Sequence, residues 1–228
     1  MKPIIGIVGR ADIEKNGKPT IGVLENYRQA IIKAGGVPIL ILPPQLLEYE
    51  NTNPKDASLL TDKEIEILNI QLKLVQGIVI PGGSKMYEYD LYISKWTNDN
   101  KIPLFGICLG MQTMSKLDGF FPNIKINNHD EEDVSDVHEV TIDKNSKLYS
   151  IVKEEKIMVN SRHNYAIKKA NGYEIVGYSP DGIIEAIEKK DDDFNIAVQW
   201  HPEKNYDEDI ISQRLFTYFI EQARKKVC

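Results

Sequence analysis

The segment FGICLGMQTM, residues 105–114, places Cys108 between two glycines, directly after an apolar run and directly before a helix-like stretch. A G-x-C-x-G pattern at a strand-to-helix junction is the cysteine form of the nucleophile elbow, a sharp turn that lifts the reactive atom above the sheet edge. Gly106 and Gly110 leave room for a strained backbone at the cysteine, and the N-terminus of the following helix favours a thiolate. The pattern predicts that Cys108 is a nucleophile, although a free cysteine often serves packing alone.

A nucleophilic thiol needs a base, and the chain has four histidines. His201 lies in the segment QWHPE, directly after an apolar strand and therefore at the same kind of sheet edge as Cys108. Residues two apart in an extended segment point to the same side, so Glu203 can reach His201 while Pro202 stiffens the backbone between them. A carboxylate there would orient the imidazole and stabilise the imidazolium. These residues predict a Cys108, His201 and Glu203 triad.

The other candidate cluster is the acidic segment NNHDEEDVSDVHE, residues 127–139, in which His129 and His138 stand among carboxylates. Their spacing fits no structural zinc pattern, and a solvated loop is expected instead. We therefore expect neither a metal nor another cofactor. The second cysteine, Cys228, lies at the C-terminus, where a thiol without a role is expected.

Composition and charge limit the class of protein. The 228 residues suffice for one domain, 1–228. The net charge of −6 provides no basic surplus for binding nucleic acid. The apolar run at residues 4–8 is too short for a signal peptide or a membrane span, and two cysteines do not make a disulfide scaffold. A cytoplasmic protein without a membrane partner is expected.

The elements that must position the triad follow from apolar patterning. Four short apolar runs read as buried parallel strands, at residues 3–9, 37–43, 77–83 and 102–108. Helices are expected over residues 21–36, 62–75 and 86–99 between them. From about residue 138 the chain turns to shorter strand-like pieces, before a closing helix over residues 209–226. The pattern predicts a doubly wound α/β sheet flanked by extra mixed or antiparallel C-terminal strands.

Five motifs in order resemble the class I glutamine amidotransferase-like superfamily, and the γ-glutamyl-γ-aminobutyrate hydrolases within it in particular. The motifs are PGG (81–83), GICLGMQ (106–112), NSRHN (160–164), DGIIEAIE (181–188) and QWHPE (199–203). The resemblance extends over most of the chain. It implies a flavodoxin-like three-layer sandwich, with helices on both faces of a mostly parallel sheet.

The resemblance also implies a mechanism, in which the thiolate attacks the γ-carbonyl of glutamine or of a γ-glutamyl compound and water hydrolyses the resulting glutamyl-thioester. Cys108 would be the nucleophile, His201 the base and then the acid, and Glu203 its orienting partner. An oxyanion hole from two backbone N–H groups, and four residues that hold the glutamyl group, are implied as well. The two N–H groups of the oxyanion hole belong to Gly83 and Leu109. The residues that hold the glutamyl group are Gln112, Ser161, Arg162 and His163. For Arg162 an exposed charge is an equally good interpretation.

Two functions stay open within this resemblance. A hydrolase for small-molecule γ-glutamyl substrates is favoured by NS-x-H and QWHPE. A glutaminase subunit that delivers ammonia to a separate synthase chain is favoured by Leu109, where those hydrolases usually carry arginine. Tyr165 in place of the usual glutamine, and only 22 residues between Gly83 and Gly106, also depart from the hydrolase pattern. A catalytically silent glutamine-binding module is a remote third function. Such a module would have no need of Cys108, His201 and Glu203, and all three are present.

Overall fold

The four predicted apolar strands lie side by side in one nine-stranded sheet. The computed structural model describes residues 1–45, 59–119, 121–131, 134–190 and 194–227. Within them the strands are β1 (Ile4–Val8), β2 (Arg10–Ile13), β3 (Pro19–Gly22), β4 (Val37–Ile41), β5 (Gly77–Ile80), β6 (Leu104–Ile107), β7 (Ile124–Lys125), β8 (His138–Ile142), β9 (Lys156–Val159), β10 (Tyr165–Ala166), β11 (Glu174–Tyr178), β12 (Ile184–Glu188) and β13 (Asn195–Val198). The helices are α1 (Glu25–Lys33), α2 (Asp62–Leu72), α3 (Glu88–Asp99), α4 (Leu109–Met114), α5 (Lys147–Val152) and α6 (Ile210–Arg224).

The strand order of the sheet is β4-β1-β5-β6-β13-β12-β11-β8-β9. The first five strands pair in parallel, and the last four continue the sheet by antiparallel pairing. The α/β fold with a parallel centre and extra C-terminal strands is therefore confirmed. Because β5, β6 and β13 run side by side in one direction, the residues that follow them meet at one edge of the sheet. That edge receives the PGG loop, Cys108 and His201.

The sheet is buried on both faces at its centre, as the continuous apolar runs predicted. Every residue of β5, β6, β12 and β13 is buried. Two apolar clusters lie on the opposite faces: one includes buried residues of α1, α5 and α6, the other those of α2, α3 and α4. The edge strand β4 departs from the prediction, since Val37 and Leu40 are exposed.

The first helix begins later than the sequence predicted. Residues 19–22 pair with residues 10–13 as the antiparallel hairpin β2–β3, so α1 starts only at Glu25. The hairpin turn contains Asn16 and Gly17, and Gly17 adopts a φ of 81°, which glycine reaches without steric cost. Helix α2 matches its predicted position and carries a capping box between Thr61 and Glu64.

The short helix α5 was not predicted, and a motif residue anchors it. The carboxylate of Glu188, at the end of β12, accepts hydrogen bonds from the N–H groups of Lys147 and Leu148, both at 2.8 Å. A carboxylate at a helix N-terminus satisfies N–H groups that have no partner in the helix. Among the described residues, none of the helices combines the length and the apolar character that a membrane crossing requires.

Candidate active site

Cys108 lies at a strained turn between β6 and α4. Its backbone angles are φ 53° and ψ −105°, a conformation that residues with a side chain rarely adopt. Its N–H donates to the carbonyl of Val198 on the neighbouring β13, at 2.8 Å. A Cβ atom at Gly110 would collide with the carbonyl of Ile80, and one at Gly106 with the sulfur of Met114. The two glycines of the motif therefore make the tight turn possible.

His201 and Glu203 form a buried pair beside this cysteine. The His201 Nδ1 lies 2.7 Å from the Glu203 Oε1. Because a carboxylate only accepts, Nδ1 carries the hydrogen and Nε2 remains for the thiol. Burial by itself lowers the pKa of His201, but the charges of Glu203 and Cys108 and hydrogen bonds to both side chains outweigh it and raise the pKa to about 10. The pair therefore favours an imidazolium at neutral pH.

The backbone of His201 is fixed by Asn160, a residue of the NSRHN motif to which the sequence analysis gave no role. The Asn160 amide donates to the His201 carbonyl and accepts from the His201 N–H, both at 2.8 Å. Two such bonds fix the orientation of the backbone that carries the imidazole. The position of Asn160 next to predicted substrate contacts was the one sign in the sequence that it belongs to the site. The sequence does not show that its partner is His201, which lies far along the chain.

The PGG loop lies against the histidine and the cysteine. Gly82 donates its N–H to the hydroxyl of Tyr27 at 2.9 Å, so this N–H is not available to a substrate. The residues that carry the two predicted oxyanion donors pack against each other, since a Cβ on Gly83 would be 3.3 Å from the Leu109 side chain. Neither the Gly83 nor the Leu109 N–H has an acceptor within the described part of the chain. Both are thus available to an anionic oxygen near Cys108.

Tyr27 and Arg10 are two further residues that the sequence analysis missed as parts of the site. Burial and the charge of Glu203 raise the pKa of Tyr27 well above its usual value, so its hydroxyl stays protonated. Arg10 binds the carbonyl of Pro81 at 2.8 Å and the buried carboxylate of Asp90 at 2.6 Å. Tyr27 lies in the segment 21–36, for which the sequence analysis predicted a helix and no further role. The two side chains hold neighbouring residues of the PGG loop, Arg10 at the Pro81 carbonyl and Tyr27 at the Gly82 N–H.

A cleft of about 440 Å³ opens beside His201 and the PGG loop. Its lining includes Gly82, Gly83, Arg10, Tyr27 and Lys85. A space of this size accommodates a small molecule or the end of a larger one.

The residues that were predicted to hold the substrate differ in burial and in their hydrogen-bond partners. Gln112 is buried, and its amide is bonded to the Tyr165 carbonyl at 2.9 Å, to Gln199 at 3.2 Å and to Asn123 at 2.7 Å. These contacts join α4 to the first residue of β10, to the segment after β13 and to Asn123. Ser161 is fully buried, and its hydroxyl donates to the His129 carbonyl at 2.8 Å.

Arg162 and His163 follow in the same loop with different surroundings. Arg162 is half-buried and lines a separate cleft together with Ser135, Lys204 and Asn205. His163 is buried and its N–H donates to the His129 carbonyl at 2.8 Å. The structure therefore brings the loop to His201 through Asn160, while the side chains of Ser161 and His163 are buried in the protein.

The acidic segment 127–139 corrects one expectation. Most of its described residues are exposed, as a solvated loop requires, but His129 is only 4% exposed and lies against Asp181, Ser161 and His163. The expected solvated loop is wrong for this histidine, because the loop pairs with residues 161–163 and turns the imidazole inward. Residues 132 and 133 of the segment, and Cys228, lie outside the described residues.

Comparisons with known proteins agree with this architecture. The model of the peptidase C26 family matches residues 86–203. Protein NtpR of Enterococcus hirae is 30% identical, with 97% of this chain and 100% of NtpR covered. The γ-glutamyl-γ-aminobutyrate hydrolase PuuD of Escherichia coli K12 is 28% identical, with 99% and 95% covered. The crystal structure of a glutamine amidotransferase from Thermotoga maritima superposes with a TM-score of 0.64 at 12% identity, covering 98% and 99% of the two chains.

The resemblance that the five motifs predicted, to the class I glutamine amidotransferase-like superfamily, is confirmed. Within that class, the chain belongs to the peptidase C26 family. Relatives in this family support the hydrolase class for the chain.

Proposed function

We infer that the protein hydrolyses a γ-glutamyl amide bond, in glutamine or in a γ-glutamyl amine, through a glutamyl-thioester on Cys108. The observation that carries this proposal is the meeting of Cys108, the His201–Glu203 pair and the two available N–H groups at one sheet edge. A thiol, a base oriented by a carboxylate and a pair of fixed donors are what acyl transfer needs.

In the first half of the reaction the Cys108 thiolate adds to the γ-carbonyl carbon. The carbonyl oxygen becomes anionic and accepts from the N–H groups of Gly83 and Leu109. The carbon–nitrogen bond then breaks while the leaving nitrogen takes a proton from His201, which gives the thioester and free amine or ammonia. Loss of one such oxyanion donor typically costs about a hundredfold in rate.

In the second half His201 takes a proton from water as the water oxygen adds to the thioester carbonyl. The carbon–sulfur bond breaks and releases glutamate, and Cys108 and His201 return to their starting state. Every step uses groups of the chain and water, so the proposed chemistry calls for no cofactor in the reaction. Glu203 holds the imidazole in the tautomer that both steps require.

The size of the neighbouring cleft favours an amine as the leaving group over ammonia. His201 lines the cleft, so a leaving nitrogen protonated by His201 departs into or along it. Its volume of about 440 Å³ far exceeds what ammonia requires. The name of the relative PuuD, a γ-glutamyl-γ-aminobutyrate hydrolase, is consistent with a substituted amine. The glutaminase subunit with a separate synthase partner is the competing function.

The test measures glutamate release by the purified chain from glutamine and from a panel of γ-glutamyl amines, first alone and then with cell extract. We expect turnover of γ-glutamyl amines well above that of glutamine, with no gain from the extract. Cys108→Ser should abolish both activities, whereas the matched change Cys228→Ser should leave them intact. Silence of the isolated chain, followed by strong activation by a second chain, would establish the glutaminase subunit instead.

A further inference from the structure

Three histidines surround one buried glutamate beneath the NSRHN loop. Glu185 of β12 is 0% exposed, and its Oε1 lies 3.5 Å from His129 Nδ1, 3.6 Å from His138 Nε2 and 3.6 Å from His163 Nε2. One ligand atom from each of these four side chains lies within 4.8 Å of every other. We call this group the histidine cluster. It is separate from His201 and Glu203.

The outer nitrogen of each imidazole is already committed as a donor. His129 Nε2 lies 3.0 Å from a carboxylate oxygen of Asp181. His163 Nδ1 lies 3.1 Å from the Tyr165 carbonyl oxygen, and His138 Nδ1 lies 3.3 Å from that of Glu139. These oxygens only accept, so each outer nitrogen carries a hydrogen. In a neutral imidazole the inner nitrogen then presents a lone pair to Glu185.

Among the residues that the structure describes, none directs a proton donor at the centre of the cluster. The inner nitrogens of His138 and His163 and both oxygens of Glu185 have no hydrogen-bond partner among the described residues. Ser161 Oγ lies 3.3 Å from the inner nitrogen of His129, but its proton goes to the His129 carbonyl oxygen at 2.8 Å. Lone pairs and a buried carboxylate facing one another repel, and burial without compensation is costly. A cation at the centre removes both penalties.

The geometry fits a small divalent ion. Atoms that bind zinc at about 2.0–2.1 Å in a tetrahedron lie roughly 3.3–3.4 Å apart. The three distances from Glu185 Oε1 to nitrogen, 3.5–3.6 Å, are close to that edge. The four ligand atoms all lie within 4.8 Å of one another, so those that are farther apart than the edge must draw together when an ion binds. Imidazole and carboxylate ligands suit Zn²⁺. The outer contact of His129 with Asp181 is the carboxylate–histidine arrangement that orients metal ligands.

We propose that the histidine cluster binds one zinc ion as a structural site that fixes the NSRHN loop. The ion joins His129 from the acidic segment, His138 of β8, Glu185 of β12 and His163 of the loop. The same loop holds the His201 backbone through Asn160, and the Glu185 carbonyl accepts from the Gln199 N–H at 2.8 Å. A metal here stabilises the support of the active site without contacting the substrate. It replaces the expectation that the chain holds no metal.

The test uses tag-free protein with Cys108→Ala, which removes the thiolate as a competing ligand. The protein is freed of metal with a chelator and titrated with Co²⁺ and then Zn²⁺ at neutral pH. We expect one Co²⁺ per chain with the visible absorption of four-coordinate cobalt, displacement by one equivalent of Zn²⁺, and a rise in Tm that depends on zinc concentration.

Three further changes in that background locate the ion. His138→Gln should weaken zinc binding by about 100-fold or more. Asp181→Asn changes a side chain that is 56% exposed, outside the packed core, and should weaken zinc binding roughly 10- to 100-fold by loosening His129. The matched control His201→Gln removes the one histidine outside the cluster and should keep full binding.

Two results would overturn the proposal. One is the absence of stoichiometric Co²⁺ or Zn²⁺ binding, which would leave protons shared among the imidazoles and Glu185 as the compensating charge. The other is zinc binding that survives both His138→Gln and Asp181→Asn unchanged. Because the test measures metal binding in a protein without the nucleophile, it is independent of the proposed hydrolysis.

Discussion

Gly82→Ala tests how closely the PGG loop fits against the base. A Cβ on Gly82 would lie 2.8 Å from the His201 Cε1 atom and 3.2 Å from the Tyr27 hydroxyl. Carbon atoms pack favourably at about 3.5–4.0 Å, so the imidazole or the loop must move by roughly 0.7–1.2 Å. Glu203 and Asn160 hold His201 in place, and a displacement of about 1 Å in a reacting group can cost a hundredfold in rate.

We therefore expect kcat/KM for a γ-glutamyl amide to fall about 100-fold, with a loss of roughly 1–3 kcal/mol in the free energy of unfolding from overpacking. Glutamate release measures the first quantity and urea unfolding the second. The matched control is Gly22→Ala, at the rim of the same cleft, where a Cβ would meet nothing within 4 Å. A Gly82→Ala protein with the rate of the wild type would refute the close packing of the loop against His201.

Three other changes probe the supports of the site. Tyr27→Phe removes the hydroxyl that accepts from the Gly82 N–H of the PGG loop. It should lower the free energy of unfolding by about 1–3 kcal/mol, measured by thermal or urea unfolding, and reduce the activity. No change in either quantity would contradict the role of Tyr27 in holding the loop. Arg10→Ala leaves the carboxylate of Asp90 buried and unpaired, which should cost about 3–5 kcal/mol in urea unfolding, and the double change with Asp90→Ala should recover part of it. Glu203→Gln removes the largest of the contributions that outweigh burial, so the pKa of His201 should fall from about 10. A charge pair about 4 Å apart at an effective dielectric of about 20 predicts a fall of roughly 3 units. The wild-type imidazolium is then lost only as pH rises through about 10, whereas that of the variant is lost about 3 pH units lower, near neutral pH. An NMR titration of the ring protons resolves the two midpoints. An unchanged midpoint would mean that Glu203 does not set the charge of the base.

The central strands could be predicted because each is a short apolar run bounded by glycine or proline. The same reasoning placed Cys108 and His201 at one sheet edge, since parallel neighbours end together. Residues 21 and 22 were predicted as the start of α1, because they directly precede the helical pattern that begins at Val23, but they belong to β3. The Asn16–Gly17 turn was the local sign of a hairpin.

The supports of the site could not be predicted, because they join residues far apart in the chain. Asn160 contacts His201, and Arg10 contacts Asp90. No regular spacing in the sequence indicates that either pair of residues is in contact. His129 looked like a residue of a solvated loop because its neighbours are acidic. Only the pairing of that loop with residues 161–163 turns its imidazole inward.

The most direct measurement of the central proposal is the site of reaction with an alkylating analogue of glutamine. The folded protein is treated with one equivalent, and the modified cysteine is identified by mass spectrometry of peptides, with and without a γ-glutamyl substrate present. The proposal predicts modification of Cys108 alone, slowed by the substrate and lost in the His201→Gln protein. Modification of Cys228 with Cys108 untouched would contradict the assignment of Cys108 as the nucleophile.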